Sequence, residues 1–173
     1  MSGLTVSFGY DKGIADTIKA MGDKSEYAIR KAVDEVGNKT RTQVIRAVAK
    51  QAGVKTGRVR GVLHTSQAMG AGAGTFTITA RDVTMSLKEF SPRQTSKGVA
   101  AKPWNTKRVF PHTFFGPGSH VFVREGKSRL PIKKLWGPAI PKEMVKDEAE
   151  RTFFANVETL LPAAVEKWLM RQK

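Results

Sequence analysis

Residues 24–52 carry one continuous helical pattern, and it constrains the fold more than any other part of the chain. Ile29, Val33, Val36, Val44 and Val48 recur at the helical period, with Thr40 filling the intervening turn. A helix of about seven or eight turns with one apolar stripe must lay that stripe against a partner layer. Gly53 supplies its stop signal, and Gly37 followed by Asn38 marks a place for a kink. The opposite face carries Arg30, Lys31, Asp34, Glu35, Arg41, Arg46 and Lys50, read as solvated or as a subunit contact. Upstream, Ile14, Ile18 and Met21 predict a short amphipathic turn over 11–21 that Gly22 interrupts.

A second helical stripe closes the chain over 142–173, through Val145, Phe153, Phe154, Val157, Leu160, Leu161, Val165, Trp168 and Leu169. Core packing is its default role. Pro141 suits the first turn, with Glu143, Asp147 and Glu148 favourably placed by the helix dipole. Asp147 and Arg151 form an expected i,i+4 pair, and Pro162 is expected to kink or divide the helix.

Between the helices the pattern turns to strands. Phe76, Ile78 and Ala80 alternate inward, and Val83, Met85 and Leu87 repeat the alternation after Arg81-Asp82, predicting an antiparallel hairpin. Residues 99–102 are expected to return as another strand. Over 110–141 two aromatic runs, with Phe110, Phe114 and Phe115 before and Val121, Phe122 and Val123 after, flank Gly116-Pro117-Gly118, a turn able to reverse the chain into a projecting hairpin. Pro131 lacks a ladder donor, so the strand around Leu130 and Ile132 is expected at an edge or bulge. Gly137-Pro138 is expected to end that strand.

The fold class is therefore α+β: a long N-terminal helix and helical hairpin, a central antiparallel β-sheet with projecting loops or hairpin, and a C-terminal helix. One domain over 1–173 is expected, mainly helical over 1–63, mainly β over 64–136 and helical over 141–173. A chain of this length buries about 70% of its unfolded surface on folding.

The formal charge of +15 is concentrated: residues 1–50 carry +3, residues 51–136 carry +12 and the remainder is neutral. So basic a centre faces a polyanion or an acidic protein surface. The absence of Cys removes disulfides, thiolate nucleophiles and thiolate metal sites. A triad or metal site would have to draw on His64, His112 and His120 alone among imidazoles, and two histidines without a nearby carboxylate ligand make a poor zinc site. No enzyme activity, cofactor or metal is expected. The 66–74 loop with its GAGAG lacks the Gly-Lys-Ser/Thr of a phosphate loop. No apolar run reaches the roughly 20 residues of a membrane helix and no signal-peptide pattern opens the sequence, so no membrane partner is expected and the chain is expected to be soluble and cytoplasmic when made.

Residues 47–63 resemble the helix-turn-helix of bacterial repressors, with Thr56, Arg58 and Arg60 placed to read DNA. Gly57 and Gly61 weaken such a recognition helix by about 1 kcal/mol each, which favours a hairpin that simply turns the chain into the sheet.

A broader resemblance rests on three motifs in order: PRQTSKGV at 92–99, VFVRE at 121–125 and RLPIKKLWGPAIP at 129–141. With the long helix before them, they resemble the bacteriophage minor tail protein Z family, the tail completion proteins of long-tailed phages, over about 34–140. The resemblance implies a non-catalytic virion protein at the tail's head-proximal end, assembled in the host cytoplasm. There it would form a homo-oligomeric ring, expected as a hexamer, beside the tail terminator and neck or connector proteins. Positions carried over are Arg93, Gln94, Thr95, Gly98, Arg124, Leu130, Pro131, Ile132, Gly137 and Pro138. Phe114, Phe115, Phe122, Arg124, Leu130, Pro131, Ile132, Gly137 and Pro138 are the expected subunit or partner interface. Arg93, Lys97, Lys102, Lys107, Arg108, Arg129, Lys133 and Lys134 are the expected contacts to acidic partners or to genomic DNA in the lumen. A nucleic-acid-binding protein is the alternative.

Overall fold

The computed structural model describes residues 4–8, 22–69 and 74–171; the amphipathic turn expected over 11–21 and residues 70–73 of the glycine-rich loop lie outside them. Helix α1 (Asp23–Ala52) runs unbroken and ends where Gly53, at φ 76°, returns its N–H to the Ala49 carbonyl. Val33, Val36, Thr40, Val44 and Val48 are buried along it, as the period requires. Gly37 serves close packing, since a Cβ there would overlap the Phe76 ring.

The C-terminal segment is two helices, not one. Helix α3 (Ile140–Met144) has Pro141 in its first turn, the chain breaks at Val145, and α4 (Asp147–Met170) then runs through Pro162 undivided. Arg151 donates to the backbone carbonyl of Asp147 at 3.3 Å, not to its carboxylate as the i,i+4 spacing suggested. Helix α4 lies antiparallel to α1: Ala164 packs with Ala32 and Val36, while further along Phe153 and Val44 border the same cavity. Glu35 ties the pair, accepting from Lys167 at 2.8 Å and Trp168 at 2.9 Å, with Lys39 also at 2.8 Å. Lys167, then Lys39 and Trp168, hold its carboxyl down at about 2 despite partial burial.

Among the described residues the β part is four small antiparallel sheets in place of one central sheet. The first has order β1-β3-β2, with β1 (Leu4–Phe8) and β2 (Leu63–Ser66) flanking β3 (Phe76–Ala80). Phe76, Ile78 and Ala80 of β3 face the core as predicted. Strand β4 (Thr84–Ser86) does not return against β3; it pairs with β11 (Trp136–Ala139). Gly137-Pro138 therefore lies within a strand, at a register shift that accommodates the proline. The third sheet orders β5 (Arg93–Thr95), β6 (Gly98–Ala101) and β7 (Arg108–Pro111); the fourth orders β10 (Ile132–Lys134), β9 (Val121–Arg124) and β8 (Thr113–Phe115). Gly118, at φ 67°, turns the β8–β9 hairpin as foreseen, and β10 takes the expected edge.

Phe76, Ile78, Leu87, Val99, Val121 and Ile140 join the α1 stripe in one apolar cluster. Two carboxylates are buried beside it. Asp34, expected on the solvated face of α1, is 9% exposed and accepts the backbone N–H groups of Ala68 and Met69 at 2.6 and 3.1 Å. Glu143, 2% exposed, accepts from Trp104 Nε1 at 3.0 Å and Gln51 Nε2 at 2.8 Å and pairs with Lys146 at 3.0 Å. Burial opposes its ionisation, yet the bonds from Trp104, Gln51 and Lys146 leave its carboxyl below the ordinary value.

Candidate functional site

Opposed residues in an antiparallel ladder share one face of the sheet, so register decides which candidate side chains meet. In the β5-β6-β7 sheet, Arg93 opposes Ala100 and Ala100 opposes Val109. Lys102 and Lys107 continue the alternation of Ala100 and Val109 onto that same outer face. The other face holds Val99 and Ala101, buried. Small Ala100 thus leaves a concavity of about 380 Å³ lined by Ser91, Arg93, Ala100, Ala101, Lys102 and Lys107. It has three cations and no carboxylate in its wall.

The other predicted cations go elsewhere. Arg108 opposes Ala101 and sits 5.7 Å from the Trp104 ring centroid. Lys97 occupies the β5–β6 turn, its carbonyl accepting the His112 N–H. Arg129 lies in the exposed segment between β9 and β10. Lys133 opposes Val123, whereas Lys134 opposes Phe122 on the reverse face.

Of the expected interface residues, Phe114 and Phe122 face each other with ring centroids 6.4 Å apart, and the Arg124 guanidinium lies 5.3 Å from the Phe114 ring. Ile132 opposes Arg124 on the same face. Phe115 points to the other face and is 39% exposed, and Leu130, just before exposed Pro131, is 67% exposed. Gly137 packs closely on Phe90 and is half-buried, whereas Pro138 is buried within the monomer and has an internal role.

A further groove was not legible in the sequence. Ser86, Lys88, Glu89, His120, Lys134 and Trp136 line a cavity of about 440 Å³ beside α2 (Thr56–Arg60). His120 Nδ1 lies 2.9 Å from Ser86 Oγ, and Lys134 Nζ lies 3.4 Å from His120 Nε2. An ammonium can only donate, so Nε2 accepts and Nδ1–H donates to Ser86. That is the wrong polarity for activating a serine nucleophile. Burial, then Lys134 and Lys88, hold the imidazole below its ordinary value, with Glu89 opposing. The β8–β9 register, Thr113 against Val123 and Phe115 against Val121, leaves His112 and His120 unopposed to each other, and no group of three or more His, Cys, Asp or Glu able to hold a metal is found among the described residues. No helix among them is long and apolar enough to cross a membrane.

Comparison with protein-family models, with curated proteins and with solved structures gave no match.

Proposed function

We propose that the chain is a non-catalytic structural subunit of a phage virion, a tail completion or neck protein. It would form a homo-oligomeric ring at the head-proximal end of the tail and join it to the terminator and connector. Support comes first from the three ordered motifs. The observation that carries the reading is the open character of the β part: short sheets whose outer strands are unpaired among the described residues, beside which Leu130, Phe115 and Val109 are 67%, 39% and 46% exposed. Open edges and large exposed apolar side chains mark surfaces that another subunit covers.

Mass photometry of the purified chain together with images of native particles tests this. A closed ring is expected, and Leu130→Asp is expected to shift it to monomers with little change in Tm, because the side chain is exposed in the monomer. A wild-type protein that stays monomeric and is absent from tails would overturn the reading.

The concavity around Ala100 favours a second reading, contact with nucleic-acid phosphates. Helix α2 is five residues long, too short to serve as a recognition helix, so such contact would be independent of sequence. Replacing Arg93, Lys102 and Lys107 together by alanine is expected to flatten the slope of log affinity against log salt by about 2.7 for duplex DNA. An unchanged slope would exclude the concavity as the contact.

A further inference from the structure

We propose that the groove beside α2 is a nucleotide-binding site, in which a phosphate sits between Lys88, Lys134 and His120 and the base lies on the indole of Trp136. The inference concerns a surface distinct from the concavity around Ala100 and does not depend on the ring.

Three observations carry it. The first is an unusual partner set for a cation: Lys134 Nζ lies 3.4 Å from His120 Nε2 and 4.2 Å from the Trp136 ring centroid. No carboxylate pairs with it among the described residues. The acid lining the groove, Glu89, is engaged by Arg58 at 2.8 Å. An anion is the missing member, since protonating His120 without one would set Nε2–H against the Lys134 ammonium. A phosphate between them accepts from both.

The second is Trp136 itself, 52% exposed, bordering this cavity and the adjoining one lined by Asp82, Val83 and Thr84. Lys134 covers one side of the ring, and the open remainder offers a stacking platform of the kind that holds bases beside a cationic track. The third is size. About 440 Å³ lies within the range of small-ligand sites, and Lys134 and Trp136 are held there by paired strands, β9–β10 and β4–β11, with His120 immediately before β9. The groups facing His120 are Ser86, Lys88, Glu89 and Lys134. A bound phosphate adds negative charge on the side where Lys134 and Lys88 now repel a proton, so binding and protonation of His120 reinforce one another.

The test uses adenosine monophosphate, inorganic phosphate and a labelled (dT)12 strand as probes on the full chain, with His120 followed by NMR. Adenosine monophosphate is expected to raise the His120 titration midpoint by about one unit, and affinity is expected to be higher at pH 6 than at pH 8. His120→Gln should remove that pH dependence. Trp136→Ala should weaken the nucleotide and the strand about tenfold while leaving inorganic phosphate unchanged, and Trp136→Phe should restore most of the loss. Lys134→Ala should weaken all three probes, and Arg93→Ala none. Tighter binding of (dT)12 than of the mononucleotide identifies a strand as the occupant; equal binding identifies a free nucleotide. Affinity for adenosine monophosphate within twofold of wild type in folded Trp136→Ala would overturn the proposal. So would an unmoved His120 midpoint, or an Arg93→Ala loss as large as that of Lys134→Ala.

Discussion

Replacing Gly98 by alanine is expected to cost about 4 kcal/mol, combining backbone strain with overpacking, and to lower Tm by about 12 °C. Gly98 opens β6 at φ 139°, a conformation that side chains of L residues rarely adopt. An added Cβ would also overlap the Phe110 carbonyl oxygen of β7. Because the obstructing atom is backbone in a paired strand, it has no rotamer through which to withdraw. The natural contrast is Gly57→Ala in α2, where a Cβ meets nothing within 4 Å and a gain of about 0.5–1 kcal/mol is expected. Thermal unfolding followed by circular dichroism separates the two. If Gly98→Ala melts within about 2 °C of wild type, the β6–β7 pairing described here is wrong.

The consequence reaches the basic surface, because β6 is the strand against which both neighbours are registered. Ala100 lies between Arg93 and Val109, and the spacing of Arg93, Lys102 and Lys107 depends on that alignment. Thr113 reinforces it from outside the sheet: its hydroxyl accepts the Val99 N–H at 2.9 Å and lies 2.6 Å from the Phe110 carbonyl oxygen, to which it donates. A folded variant with a slipped β6 would keep its net charge and lose the convergence of the three cations.

How far the sequence could be read depended on whether an interaction was local. Helix α1 was legible because its stripe repeats over many turns, and the β8–β9 hairpin because Gly116-Pro117-Gly118 sits between its two strands. The edge position of β10 followed from Pro131. Nothing local, however, distinguishes β11 from β3 as a partner for a short alternating segment such as β4, and so the expected β3–β4 hairpin gave way to a pairing some fifty residues distant. Asp34 failed for the same reason. Its place on the helix read as solvent-facing, but the returning turn at Ala68 and Met69 covers it and supplies two donors. The positive excess of the middle segment was plain from composition, whereas its division among the Ala100 concavity, the Trp104 ring and the His120 groove is a matter of strand register. Ser86 and His120 carried no signal at all, being 34 residues apart without a shared motif.

Glu143→Ala is expected to cost about 3 kcal/mol, since it strips the acceptor from two part-buried hydrogen bonds, those of Trp104 and Gln51, and to lower Tm by about 9 °C. Lys146 loses its partner too, but it is 44% exposed and water replaces the carboxylate. Glu143→Gln should lie between the two, because its amide keeps one acceptor and turns a donor toward donors. The acid response follows from the sign of the shift: the folded carboxyl is held below its ordinary value, so its contribution is present above that value and is lost as pH falls through the folded one. Wild type should lose this share of stability on acidification, and Glu143→Ala should not. The effect also has a location. Trp104 binds Glu143 and Asn105 donates to the Lys50 carbonyl at 2.6 Å, clamping the 103–105 turn to the end of α1 between Lys102 and Lys107. Hydrogen exchange over residues 102–107 should therefore rise in Glu143→Ala more than in the β8–β9 hairpin. A uniform rise across both regions would mean that Glu143 stabilises the helical packing alone and does not hold the cationic concavity in shape.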